Sequence, residues 1–266
     1  MQYPTSLWHD IKDRKLFEGV DTYFMFIGYP KSGHTLIGSL LDAHPNIIVG
    51  HELNTLKYIL AGFRKGQIYS LLLKSSQTFT ERGRYWSGYS YEVPHQWQGR
   101  FKKLQIIGDK KGVGSTLVLR SYPRLLQRLR HRIDGRIKFV HVVRNPYDNI
   151  SSITKKRKPR LSLEESIDYY FSLCETVAES RKQIRSSDWF DLRHESFVED
   201  PKNFLKEICF FLGADAPDDY LDDCAKIVFK SPHKTRYNTQ WNSAFIDTVK
   251  ERMAKFTFLG GYSFKD

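Results

Sequence analysis

Thr22-Tyr-Phe-Met-Phe-Ile-Gly-Tyr-Pro-Lys-Ser-Gly-His-Thr35 is the stretch on which the fold turns. Its first seven residues are a continuous β-branched and aromatic run, the pattern of a strand buried on both faces. Gly28 and Gly33 are separated by four residues that include Lys31, and a helix-like Leu36-Ile-Gly-Ser-Leu-Leu41 follows. A glycine turn between strand and helix aims backbone N–H groups at an anion, and the helix dipole favours it. A nucleoside triphosphatase would carry Lys-Ser or Lys-Thr directly after the second glycine. Here His34 and Thr35 stand there, and the lysine comes earlier. Lys31 is therefore expected to meet a terminal phosphate, with Ser32, Gly33, His34 and Thr35 completing the loop.

Outward from this stretch, strand and helix patterns alternate. Asn46–Gly50, Gln105–Gly108, Ile137–Val143 and Trp189–Leu192 read as further strands. Helical patterns cover Thr55–Phe63, Arg120–Arg130, Tyr147–Thr154 and Leu163–Arg185. Asp200-Pro201 opens another helix that ends before Gly213, with Pro at the first helical position and Gly past the end. The alternation predicts an α/β fold: a P-loop-like, three-layer architecture with a central parallel sheet flanked by helices. Ligands of such sheets bind beyond the carboxyl ends of the strands. No linker or repeat divides the chain, so residues 1–266 read as one domain. Residues 62–104, rich in Tyr, Trp and Arg, read as a substrate-lid insertion between strands.

The chain has 266 residues and a formal net charge of +12 at pH 7, which suits polyanionic partners: nucleotide, nucleic acid, acidic glycan or membrane surface. No apolar run approaches the roughly 20 residues of a membrane-spanning helix. The first 20 residues lack a basic segment followed by an apolar one, so no secretory signal is expected. Three cysteines, Cys174, Cys209 and Cys224, make no disulfide framework. A reducing, cytoplasmic setting follows from that. No feature specifies an oligomeric state.

A second anion site is suggested by Val143-Arg-Asn-Pro-Tyr-Asp-Asn-Ile-Ser-Ser152. An apolar strand ends at Arg144 and a helix begins at Pro146, with Ser152 about two turns on. Arginine offers a planar fork for phosphate and serine a hydroxyl donor. Taken together, the two segments resemble the two 3′-phosphoadenosine-5′-phosphosulfate (PAPS) signatures of the sulfotransferase family. Tyr29–Thr35 resembles its 5′-phosphosulfate loop and Val143–Ser152 its 3′-phosphate motif. Similarity continues through Leu41-Asp-Ala-His-Pro-Asn46, Gly108-Asp-Lys110, Leu192–Gly213 and Leu259-Gly-Gly-Tyr262. The pattern looks closest to the tyrosylprotein and carbohydrate branch. One departure is His34, where the family usually has Ser or Thr, so an imidazole replaces a hydroxyl donor.

The resemblance implies transfer of a sulfuryl group from PAPS to an acceptor oxygen or nitrogen, with PAP as product and no essential metal. It implies that Glu52, after the second strand, is the general base. It also places Lys110 beside the transferring group and His194 near the adenine. His51 is a second candidate base, because imidazole titrates near neutral pH. Alternation along the strand should turn the side chains of His51 and Glu52 apart. The acceptor stays open among small molecule, glycan and peptide, and no specific nucleic acid is expected. Two rival readings are a nucleotide kinase or triphosphatase and a basic module that binds polyanions.

Overall fold

A computed structural model describes residues 14–156 and 159–266. The expectation placed on the first 20 residues falls largely on residues 1–13, which lie outside the described residues. The strands among the described residues are β1 (Thr22–Gly28), β2 (Ile47–His51), β3 (Tyr85–Trp86), β4 (Tyr89–Ser90), β5 (Ile106–Lys110), β6 (Arg136–Val143) and β7 (Trp189–Arg193). Five of them form one parallel sheet in the order β2-β5-β1-β6-β7, and β3 with β4 makes a separate antiparallel hairpin. The chain leaves β1 toward β2 on one side, then crosses back from β5 over β1 to β6. The loop after β1 thus sits where the winding reverses, the place at which such sheets leave a crevice.

The helices are α1 (His34–Leu41), α2 (Thr55–Leu60), α3 (Lys65–Glu81), α4 (Gly112–Ser121), α5 (Leu125–Ile133), α6 (Pro146–Lys156), α7 (Leu163–Lys182), α8 (His194–Glu199), α9 (Pro201–Leu212), α10 (Asp218–Lys226) and α11 (Ser243–Met253). β1 is buried along its whole length, and its side chains divide between two cores. Tyr23, Met25 and Ile27 join the cluster that includes α2, α3, α5 and α7; Phe24 and Phe26 join the one under α1, α9 and α10. Period-two alternation thereby yields the three expected layers. Close strand packing needs Gly108 in β5, since a Cβ there would lie 2.3 Å from the Phe24 ring.

Two expectations change. The helix expected across Arg120–Arg130 is two helices, α4 and α5, parted at Tyr122-Pro123. Proline has no N–H to donate and pushes the residue before it out of the helical region. The first part of residues 62–104 is α3, whose Leu72 packs so tightly on Gly50 that a Cβ would lie 2.5 Å away. Buried Asp42, after α1, ties the rest of this segment down. It accepts from Arg84 at 2.7 Å, from Ser76 and from the Gly99 amide. The β3–β4 hairpin that follows exposes Tyr85, Trp86 and Tyr89.

Candidate active site

The turn from β1 to α1 has three left-handed or glycine-type residues: Gly28 (φ 141°), Lys31 (φ 65°) and Gly33 (φ 95°). Successive N–H groups in such a turn face one concavity, which suits an anion. Three separate elements hold it. Gly28 N donates to Thr116 Oγ1 of α4 at 3.0 Å. Asn149 Nδ2 of α6 donates to Pro30 O at 3.1 Å and to Ser32 Oγ at 2.9 Å. Arg144 Nη1 donates to Lys31 O at 3.1 Å. Ser32 is fully buried in this clamp. The His34 ring turns inward, edge-on to Phe26 at 5.6 Å, and packs where a Cβ on Gly112 would lie 2.5 Å away. Burial first, and then Lys110, lower its imidazole to about 3, so it is uncharged.

Arg144 directly follows β6 and spans from the loop to a wall formed by the chain after Phe229. Its Nη2 donates to the His233 carbonyl and lies 3.5 Å from Thr235 Oγ1. Ser152, two turns into α6, meets the same Thr235 hydroxyl at 3.2 Å. Arg144 and Ser152 therefore converge, as their spacing suggests. His194 opens α8 against the back of the β1–α1 turn, where a Cβ on Gly33 would lie 2.5 Å from its Nδ1. Burial and then the Arg144 guanidinium hold it neutral, near 3. Arg144 Nε, His34 Nε2 and His194 Nδ1 are buried atoms without a hydrogen-bond partner.

Glu52 lies across the cleft. β2 ends at His51, and Glu52 adopts φ 62°. The two side chains part as expected, helped by this backbone turn. Lys110 is paired with His51 in the sheet register and ends β5. Its Nζ donates to Glu52 Oε1 at 2.5 Å and to Thr35 Oγ1 at 3.1 Å. Lys111 donates to the other carboxylate oxygen of Glu52. Burial opposes the charge of Glu52, but Lys110 and then Lys111 outweigh it and bring its carboxyl down to about 2. The stem of Lys110 crosses Gly38 of α1, where a Cβ would sit 2.6 Å from Cγ. The His51 ring instead stacks on Phe79 at 3.7 Å, and burial lowers it to about 3.

Thus Lys31, Ser32, Gly33, His34, Thr35, Arg144, Ser152, His194 and Glu52 border one cleft of about 490 Å³, with Lys110 bonded to two of them. His51 lines a neighbouring cavity. Sequence reasoning missed Asn149, although it lies inside the quoted motif. Lys111, next to Lys110, was given no role. The wall from Phe229 to Thr235 carries no motif; its run of Lys and His was the available signal. The donor set suits a doubly phosphorylated nucleotide: an N–H turn, a guanidinium with a buried unbonded Nε, and lysines at the far end. Among the described residues no cluster of His, Cys, Asp or Glu could hold a metal ion. No described helix is long and apolar enough to cross a membrane.

A sequence profile described as "Sulfotransferase family" matches residues 119–218. A comparison with curated proteins found no match. Among solved structures, the sulfotransferase domain from the curacin biosynthetic pathway superposes with a TM-score of 0.53. It is 12% identical over 89% of this chain and 96% of its own. A sulfotransferase from Alicyclobacillus acidocaldarius is 17% identical, covers 91% of this chain and 96% of its own, and gives 0.50. One from Mycobacterium tuberculosis H37Rv is 11% identical, covers 94% and 81%, and gives 0.53. At these identities the structures establish a shared fold with sulfotransferases, and residues 119–218 carry the sequence pattern of that family.

Proposed function

We propose that this protein is a sulfotransferase that takes its sulfuryl group from PAPS and delivers it to an acceptor hydroxyl, with Glu52 accepting the hydroxyl's proton. The observation that carries the proposal is the meeting, at one sheet edge, of the glycine turn, Arg144 and the Lys110–Glu52–Lys111 cluster. The turn and Lys31 would hold the 5′-phosphosulfate end of PAPS; Arg144 and Ser152 would hold its 3′-phosphate. The donor supplies an activated S–O bond. The acceptor oxygen bonds to sulfur as the bond from sulfur to the bridging oxygen breaks, and that electron pair leaves with PAP.

A carboxyl held near 2 by two ammonium groups is a weak base. Lys110 already reaches Thr35 in the loop, and an anion there competes with Glu52 for it. Loosening that pair raises Glu52 toward its ordinary range, where it can take a proton. Lys110 is then placed to neutralise charge on the leaving oxygen. The placement of a glutamate after β2 supports the likeness to the tyrosylprotein branch. Cys174, Cys209 and Cys224, all buried and unpaired, support a cytoplasmic setting.

Calorimetry tests the donor site. Arg144→Ala should weaken PAP by about 1.5–3 kcal/mol and adenosine 5′-phosphate much less, because only PAP has a 3′-phosphate. Lys31→Ala should weaken both. Equal losses on Arg144→Ala, or tight binding of ATP–magnesium with none of PAP, would sink the proposal. The latter result would favour the kinase reading.

A further inference from the structure

A second cavity, of about 420 Å³, lies beside the donor cleft, between α3 and the β3–β4 hairpin. Its body is apolar and aromatic: Leu53, Tyr58, Leu71, Phe79 and Trp86. Trp86 borders this cavity and the donor cleft alike. Its ring stands edge-on to His51 at 4.8 Å, and Lys110 Nζ lies 5.9 Å from its centre. The ammonium that bonds Glu52 therefore also faces the indole between the two spaces. Lys74 and Arg82 are exposed side chains of the lining, which contains no acidic residue. Among the described residues neither makes an ion pair.

We propose that this cavity seats the acceptor, and that the acceptor is an alcohol or phenol with a ring-sized apolar body and an anionic group remote from the reacting hydroxyl. This rests on the donor reading above. The hydroxyl passes Trp86 to reach Glu52, the body lies against Leu71 and Phe79, and the anion meets Lys74 and Arg82. A cavity of this size takes a molecule of one or two rings. A cationic tail would face two like charges at the same rim. The uncharged His51 adds nothing to attract or repel it.

Three phenols that differ only in the tail test the assignment: 3-(4-hydroxyphenyl)propionate, 4-ethylphenol and tyramine. Sulfation with saturating PAPS should fall in that order, with about tenfold in kcat/KM between first and last, the size expected for two partly solvated charges. The double variant Lys74→Ala, Arg82→Ala should bring all three within about twofold of one another, with PAP affinity unchanged. Leu71→Trp, which fills the cavity, should abolish binding of all three, read as tryptophan fluorescence of the PAP-bound protein. An unchanged order in the double variant overturns the proposal. So does failure of every probe to bind the PAP-loaded protein. Calorimetry with PAP runs alongside. If PAP itself does not bind, it is the donor reading that fails; if PAP binds and the phenols ignore Lys74 and Arg82, only the acceptor assignment fails.

Discussion

Glu52 is a carboxylate held by two lysines that follow one another in sequence, at the only point where β2 and β5 both run out. Glu52→Gln keeps the shape and removes the proposed proton acceptor. The single-turnover rate should fall by about 10²–10⁴ with PAP affinity within about threefold. His51→Ala should do much less, since its ring lies in the neighbouring cavity against Phe79. The same pair predicts a pH effect. Folding lowers the Glu52 carboxyl from its ordinary 4.5 to about 2. The stabilisation is whole above the higher value and is lost as pH falls toward the lower one. The Tm advantage of wild type over Glu52→Gln should therefore shrink between about pH 5 and pH 3. Glu52 and Lys110 were legible because one directly follows and the other ends a strand that sequence pattern and resemblance had located. The inward turn of His34 was not, because it depends on Gly112, a residue 78 positions away with no side chain in the way.

Elements aim these residues. α1 must pass close to Lys110, and Gly38 gives it room. Gly38→Ala would push on Cβ and Cγ of that lysine, not on its mobile end. The expected result is a drop in the single-turnover rate of at least about tenfold with a modest change in Tm, since alanine favours a helix. An unchanged rate would mean that Lys110 does not need its present path. The five strands of the main sheet were readable to within two residues, because a run buried on both faces has a continuous apolar pattern, whereas the exposed β3–β4 hairpin was not. Trp189–Leu192 and Ile137–Val143 each missed the observed strand by one residue. The segment between β2 and β5 was the hardest to read. Its function was placed in its aromatics, yet α3 packs one face on β2 and lines the neighbouring cavity, while the hairpin borders the cleft that holds Glu52. Periodicity distinguishes a helix from a strand but does not say which sheet face the helix covers.

At the scale of the molecule, contacts distant in sequence close the site. Buried Asp148 accepts from Arg236 at 2.5 Å and from the Arg236 amide at 2.8 Å, while Arg236 Nε donates to Phe264 O at 2.9 Å. This pins the wall whose Thr235 meets Arg144 and Ser152. Arg236→Ala leaves a buried carboxylate unpaired, at a cost of about 3–5 kcal/mol in urea unfolding, and PAP should bind more weakly as the wall loosens. Such long-range ties were invisible in the sequence because no local pattern records them. They also govern how the site comes into being. The β1–α1 turn is held by bonds that span 88, 117 and 113 residues, from Thr116, Asn149 and Arg144. No short fragment of the chain contains all three partners, so the turn is expected to form as the sheet closes, on a route slowed by distant pairings. A nucleotide bound there cannot survive partial opening of the sheet. The donor then acts as a rivet through the whole domain: PAP at a hundred times its Kd should raise the global unfolding free energy by about 2.7 kcal/mol, in one cooperative transition.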